Sequence, residues 1–247
     1  MENSQETFEF MDLYQVIRQK REELSTPVAR VLIACSLDSD KSQQKDIEEV
    51  IGEWVRNAQD HYNTVLTGFL LVKGSFTVHL LEGESDILNL FLRYLHEDFN
   101  KEKSRFSGIN VVTFNEENPE RSFGAWYSEN VFQTGPPIVD IDKTEQQMIE
   151  RSWQIYNLFC SAGMKALKMK DRAGIKLGAD VPLTNEDLYM LMQKRFIEIN
   201  EYAEIYLGDL EIDIDSEHVF PYTPSLLNYL EFYDLGKLTE LKVNNEN

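Results

Sequence analysis

The residues able to do chemistry are few and scattered. The four histidines are His61, His79, His96 and His218. None stands at the i,i+4 spacing that lets two imidazoles share a metal from one helix face. The two cysteines, Cys35 and Cys160, lie far apart, so they make no zinc or disulfide framework and fit a reducing compartment. Asp38-Ser39-Asp40, followed by Asp46 and Glu49, imitates calcium-loop spacing. Its sixth position is Gln43, where such a loop needs glycine for its sharp bend. The acidic run Glu211–Glu217 also lacks that glycine. No GxxxxGK phosphate loop and no GxSxG elbow occurs. No acid, base and nucleophile converge, so the expectation is a chain that is not an enzyme, with no metal and no cofactor.

Composition narrows the partners. The 247 residues carry 43 acids against 24 bases, a net charge of −19. Phosphate backbones repel such a surface, so nucleic acid is not an expected partner. No apolar run reaches the roughly 18–20 residues of a membrane span, so no membrane is expected either. Met1–Thr7 is polar and acidic, unlike a secretory leader. Charge is also uneven. Lys165, Lys168, Lys170, Arg172 and Lys176 cluster, whereas Phe196 to Gly236 holds no Lys or Arg and gathers acids. This asymmetry suits ionic contact with the basic cluster or with a basic partner, and equally a plain solvated acidic face.

The elements follow from periodicity. Phe10, Leu13, Tyr14 and Ile17 predict a helix between Glu6 and Leu24, stopped by Pro27. Arg30–Ser36 is almost wholly apolar, as a central strand buried on both faces would be. Ile47, Val50, Ile51, Trp54, Val55 and Ala58 form one stripe of a helix over Ser42–His61. Val65–Val72 and Phe76–Leu81 flank Lys73-Gly74-Ser75, a hairpin signal. A second amphipathic helix covers Ser85–Phe99, and strands are predicted over Gly108–Phe114 and Phe123–Val131, with the polar, Pro119-containing Asn115–Arg121 as a loop between them. The order β-α-β-β-α-β is that of a ferredoxin-like α+β sandwich. After Gly135-Pro136-Pro137, helices are predicted at Thr144–Gly163, with Met148, Trp153, Tyr156, Phe159 and Cys160 as candidates for burial, and at Thr184–Phe196, then a strand at Leu210–Ile214 and an aromatic tail at Phe220–Tyr233. The resulting partition is 1–27, a helical extension; 28–135, the sandwich; and 136–247, a helical and extended C-terminal region.

The run Val65–Gly83, VLTGFLLVKGSFTVHLLEG, with VLIACS before it and Arg121, Phe123 and Trp126 after it, resembles the BLUF domain. That domain is a flavin-binding blue-light sensor of ferredoxin-like fold. Position by position, the resemblance implies a degenerate flavin site. The sensor tyrosine falls on Ala34, the asparagine on Val65, the glutamine on His79 and the methionine of W-x-M on Ser128, while Trp126 keeps its type. Valine in place of asparagine leaves ring-edge polar atoms unpaired, at about 1–3 kcal/mol each. The implied outcome is a scaffold without photochemistry and without cofactor.

The segment Asp215-Ser216-Glu217-His218-Val219-Phe220-Pro221 is similar to the tail of the testis-expressed protein 47 family, whose members also carry an N-terminal helix and a BLUF-like domain. That resemblance implies a structural protein of the ciliary or flagellar axoneme, in the reducing cytoplasmic compartment, partnered by other axonemal proteins. Direct tubulin contact is disfavoured, because both surfaces are acidic. The rival expectation is a sensor of flavin or another small ligand.

Overall fold

The computed structural model describes residues 28–38, 41–131, 143–169 and 176–208, with side chains from Ile47 onward in the first helix. The expected N-terminal helix, the Gly-Pro-Pro turn, Lys170 and Arg172, the acidic run and the aromatic tail lie outside these residues.

β1 (Val28–Leu37) is the axis of the fold. Val31, Ile33 and Cys35 enter one apolar cluster, and Leu32 and Ala34 enter another. Side chains alternate across a strand, so an unbroken apolar run is what burial on both faces requires. α1 (Lys41–Tyr62) follows and ends at Asn63, whose φ of 49° turns the chain. β2 (Thr67–Lys73) and β3 (Phe76–Gly83) form the expected hairpin, with Gly74 at φ 61° in its turn. α2 (Ser85–Phe99), β4 (Phe106–Asn118) and β5 (Trp126–Val131) complete the first layer and sheet.

The sheet order is β5-β2-β3-β1-β4-β6, where β6 is the short Ile197–Glu198. β3 pairs antiparallel with β1 and β2, β1 pairs antiparallel with β4, and β5 pairs parallel with β2. This is the ferredoxin-like sandwich with strands added at both edges. Ile51, Val55, Phe91 and Leu95 of α1 and α2 cover one face.

α3 (Glu145–Lys168) and α4 (Asn185–Leu191) cover the other face through Ile155, Phe159, Ala162 and Leu188. Thr144 and Thr184 open these helices with capping boxes closed by Gln147 and Asp187. Asp187 also accepts two bonds from Arg151, at 2.7 and 2.8 Å. Burial raises the Asp187 pKa, but the Arg151 and Thr184 bonds outweigh it and hold the carboxyl below its ordinary range.

Three expectations need correction. The helix expected to Phe196 stops at Leu191, because Asn110 Nδ2 draws the Leu191 and Gln193 carbonyls onto β4 at 2.9 and 3.1 Å. The loop expected from Asn115 begins only after Asn118, since β1 pairs with β4 out to that residue. Trp153, a candidate for burial, is 48% exposed. After Phe196 the chain adds β6, α5 (Ile199–Tyr202) and a π-helical turn at Ala203–Leu207, which the sequence did not announce.

Candidate functional site

Two of the residues singled out by the resemblance, His79 and Trp126, meet in the layer between the sheet and the helix pair α1 and α2. His79 points into this layer from β3. It is 2% exposed, and the Phe91 ring of α2 meets it edge-on at 5.4 Å. Trp126 Nε1 donates to His79 Nε2 at 3.0 Å. That bond places the proton of the neutral imidazole on Nδ1. Burial drives the His79 pKa down to about 3, so the ring stays neutral.

Trp126 is packed tightly from the helix side. A Cβ on Gly52 of α1 would lie 3.1 Å from the indole, so that glycine gives the ring its room. Around these groups, Trp54 meets Phe91 at 4.7 Å and Tyr94 at 5.9 Å. Five ring systems from two helices and two strands thus occupy the layer. Two polar atoms remain unsatisfied in it among the described residues: His79 Nδ1 and Thr77 Oγ1. Cys35, in register with Thr77, is buried and its thiol is pushed up to about 12 by burial, so it is an inert side chain.

The other positions suggested by sequence do not gather here. Ala34 is a correction: it lies with Leu32 and Phe69 in the cluster under α3, on the opposite face. The β1–β3 register pairs Ile33, not Ala34, with His79. Side chains have a period of two, so this one-residue difference reverses the face. Val65 is 57% exposed before β2 begins, and Ser128 is exposed on β5. Of the five positions, the structure brings together only His79 and Trp126. A flavin does not fit this arrangement. Val65 is exposed outside the layer and Ala34 lies on the opposite face, so neither offers a polar atom to a ring edge.

A buried polar knot that the sequence reading missed explains the recognisable letters. Glu82 of β3 is fully buried and accepts four bonds, from Arg30 Nε at 2.7 Å, Ser122 N at 2.8 Å, Thr67 Oγ1 at 2.8 Å and Phe123 N at 3.1 Å. Arg121 adds bonds to Thr67 Oγ1 and the Glu82 carbonyl, each 3.2 Å. Arg30 continues to Asn118 and to Tyr156 of α3. Burial pulls the Arg30 pKa down, but Tyr156 and Glu82 outweigh it and leave the pKa raised. The Thr-Gly and Glu-Gly motifs are therefore one structure. Gly68 has φ 148°, and its added Cβ would lie 2.1 Å from the Leu80 carbonyl oxygen. The signal was in the sequence as two motifs whose partners could not be paired without the register.

Solved structures with similar chains are BLUF proteins. A Klebsiella pneumoniae BlrP1 structure with FMN and cyclic diGMP is 14% identical, covers 42% of this chain and 26% of that one, and has a TM-score of 0.33. The match thus spans about a quarter of the BlrP1 chain. BlrB, a BLUF protein in its dark state, is 18% identical over 43% of this chain and 74% of that one, with a TM-score of 0.33. BlsA in its ground state is 15% identical over 59% and 81%, with a TM-score of 0.34. Identities this low bear on fold alone. No curated protein matches the chain. The family Testis-expressed protein 47 matches residues 27–176, more than half of the sequence. By that match, the chain belongs to the Testis-expressed protein 47 family.

Proposed function

We infer that this protein is a non-enzymatic interaction module of the ciliary or flagellar axoneme. It docks through its sandwich and extensions into a microtubule-associated accessory complex. The observation that supports the interaction reading over a sensor is that the layer between sheet and helices is packed with the chain's own rings, while Val65 and Ala34 bring no polar group into it. A scaffold whose ligand layer is filled by its own side chains is a rigid body with surfaces to offer. The axonemal placement rests on the family resemblance. Cys35 and Cys160 are both free thiols, which suits a reducing compartment. Among the described residues no helix is long and apolar enough to cross a membrane. The net charge of −19 favours accessory proteins over the acidic tubulin surface as direct partners.

The test is fractionation of ciliated cells expressing the full tagged chain. After detergent extraction the protein is expected in the axonemal pellet, to be released only by high salt. Recovery in the detergent-soluble fraction sinks this reading. The second reading, a small-ligand sensor, draws on one observation: His79 Nδ1 and Thr77 Oγ1 are buried without partners on the same strand face.

A further inference from the structure

We propose that the outer edge of β4, from Val112 to Glu116, is a strand-addition site for an extended, apolar segment of a partner protein flanked by lysines or arginines. The proposal deepens the interaction reading by naming the surface that would dock.

Geometry carries it. Among the described residues, β6 pairs with β4 only at Asn110 and Val111. Beyond Val112 the β4 edge has no described strand beside it. Two open troughs flank that stretch, one on each face of the sheet, and both are lined by Val112, Thr113 and Phe114. The first, about 360 Å³, is walled by Met148, Ile149 and Trp153 of α3 and by Phe196. The second, about 540 Å³, is walled by Ile197, Tyr202 and Tyr206. Trp153 is 48% exposed and Tyr206 59%. A strand laid along an edge sends alternate side chains to opposite faces. Here each face holds an apolar trough with an exposed aromatic, which is the arrangement that rewards such a strand and no single-sided ligand. The register between β1 and β4 shifts at this point, pairing Leu32 with Thr113 and Ile33 with Val111. Val112 is the extra residue, and bulges of this kind re-aim an edge.

Charge selects the partner. The second trough includes Glu116 and no Lys or Arg. Glu198, Glu201 and Glu204 are exposed on the elements that follow. In the first, Arg195 is occupied by Glu145 at 3.0 Å. A segment with basic flanks meets this field favourably, whereas a second copy of a chain carrying −19 is repelled.

The test uses the full chain and a fluorescent peptide, Lys-Lys-Val-Ile-Val-Phe-Val-Lys-Lys, with two controls. One control has glutamates for lysines, and the other has proline at the central valine. The first peptide is expected to bind, with both controls at least about tenfold weaker. Amides of residues 112–116 gain protection from hydrogen exchange on binding. Trp153→Ala and Tyr206→Ala, each at an exposed position, should each weaken binding about tenfold with unchanged circular dichroism. Absence of binding up to about 1 mM overturns the proposal. So does weakening by only one of the two variants, which means a ligand lodged in one trough. Self-association that the peptide does not compete with overturns it too, in favour of a second copy. These outcomes are independent of where the protein fractionates in cells, so failure here and failure of the axonemal reading are told apart.

Discussion

Trp126 reaches His79 across an intervening strand. β2 lies between β5 and β3, and its residue in register with Trp126 is Gly68, which has no side chain to obstruct the indole. The bond of 3.0 Å therefore ties an edge strand to the third strand over the body of the second. It is a link that closes the layer between the sheet and the helix pair.

Replacing that indole separates its two contributions. Trp126→Phe keeps most of the volume but leaves His79 Nε2 buried without a donor, at a cost of about 1–3 kcal/mol. Trp126→Ala also opens a cavity beneath Gly52 and should cost about 3 kcal/mol or more. Urea unfolding of both variants checks this. Equal and negligible losses would mean that the indole plugs nothing.

His79 makes stability depend on pH. Its folded pKa, about 3, lies below the ordinary histidine value of 6.5. Between these values the unfolded chain binds a proton that the folded chain refuses. The contribution of this residue is thus fully present above about pH 6.5 and is lost as pH falls toward 3, at about 1.4 kcal/mol per pH unit. His79→Gln should remove that slope from a series of unfolding curves taken between pH 7 and pH 4. A variant with the wild-type slope would show that other groups set it.

Added flavin should find no seat. The purified full chain, incubated with FMN or FAD and passed through a desalting column, is expected to elute without absorbance near 450 nm. Trp54, Phe91, Tyr94, His79 and Trp126 pack against one another in that layer, and Val65 and Ala34 bring no polar group to it. A retained yellow band overturns the filled-layer account directly.

The buried knot should be strongly asymmetric to mutation. Glu82→Ala strands the Arg30 guanidinium, whose side chain is only 12% exposed, and should cost about 3–5 kcal/mol. Removing both charges, with Glu82→Leu and Arg30→Met, should recover part of that loss. Calorimetric melting of the single and double variants decides it. A double variant worse than Glu82→Ala would mean that the charges earn their place by more than compensating each other.

Much of the sandwich was legible because burial writes itself into periodicity. The apolar run of β1 announced a strand covered on both faces, and the stripe from Ile47 to Ala58 announced α1. The hairpin was legible from Gly74, which needs its positive φ. What escaped were relations between strands. Ala34 matched the sensor tyrosine through the resemblance, but the register with β3 sets Ile33 beside His79, and one residue reverses the face. The Trp126–His79 bond and the Arg30–Glu82 pair of the knot were invisible for the same reason, since each joins residues more than 35 positions apart. β4 ran past its expected end because Asn115 and Asn118 look like loop residues. Here Asn118 is buried and bonded to the Val28 carbonyl.

The Glu82 knot has a consequence for how kinship is detected. Thr67, Gly68, Glu82 and Gly83 are the letters that make this chain look like a photoreceptor, yet Thr67 and Glu82 clasp a hairpin to the loop beside it and Gly68 lets two strands approach closely. Selection for a well-folded body alone would preserve them. Likeness in those letters therefore reports a shared way of fastening the sheet, and it is no measure of shared chemistry.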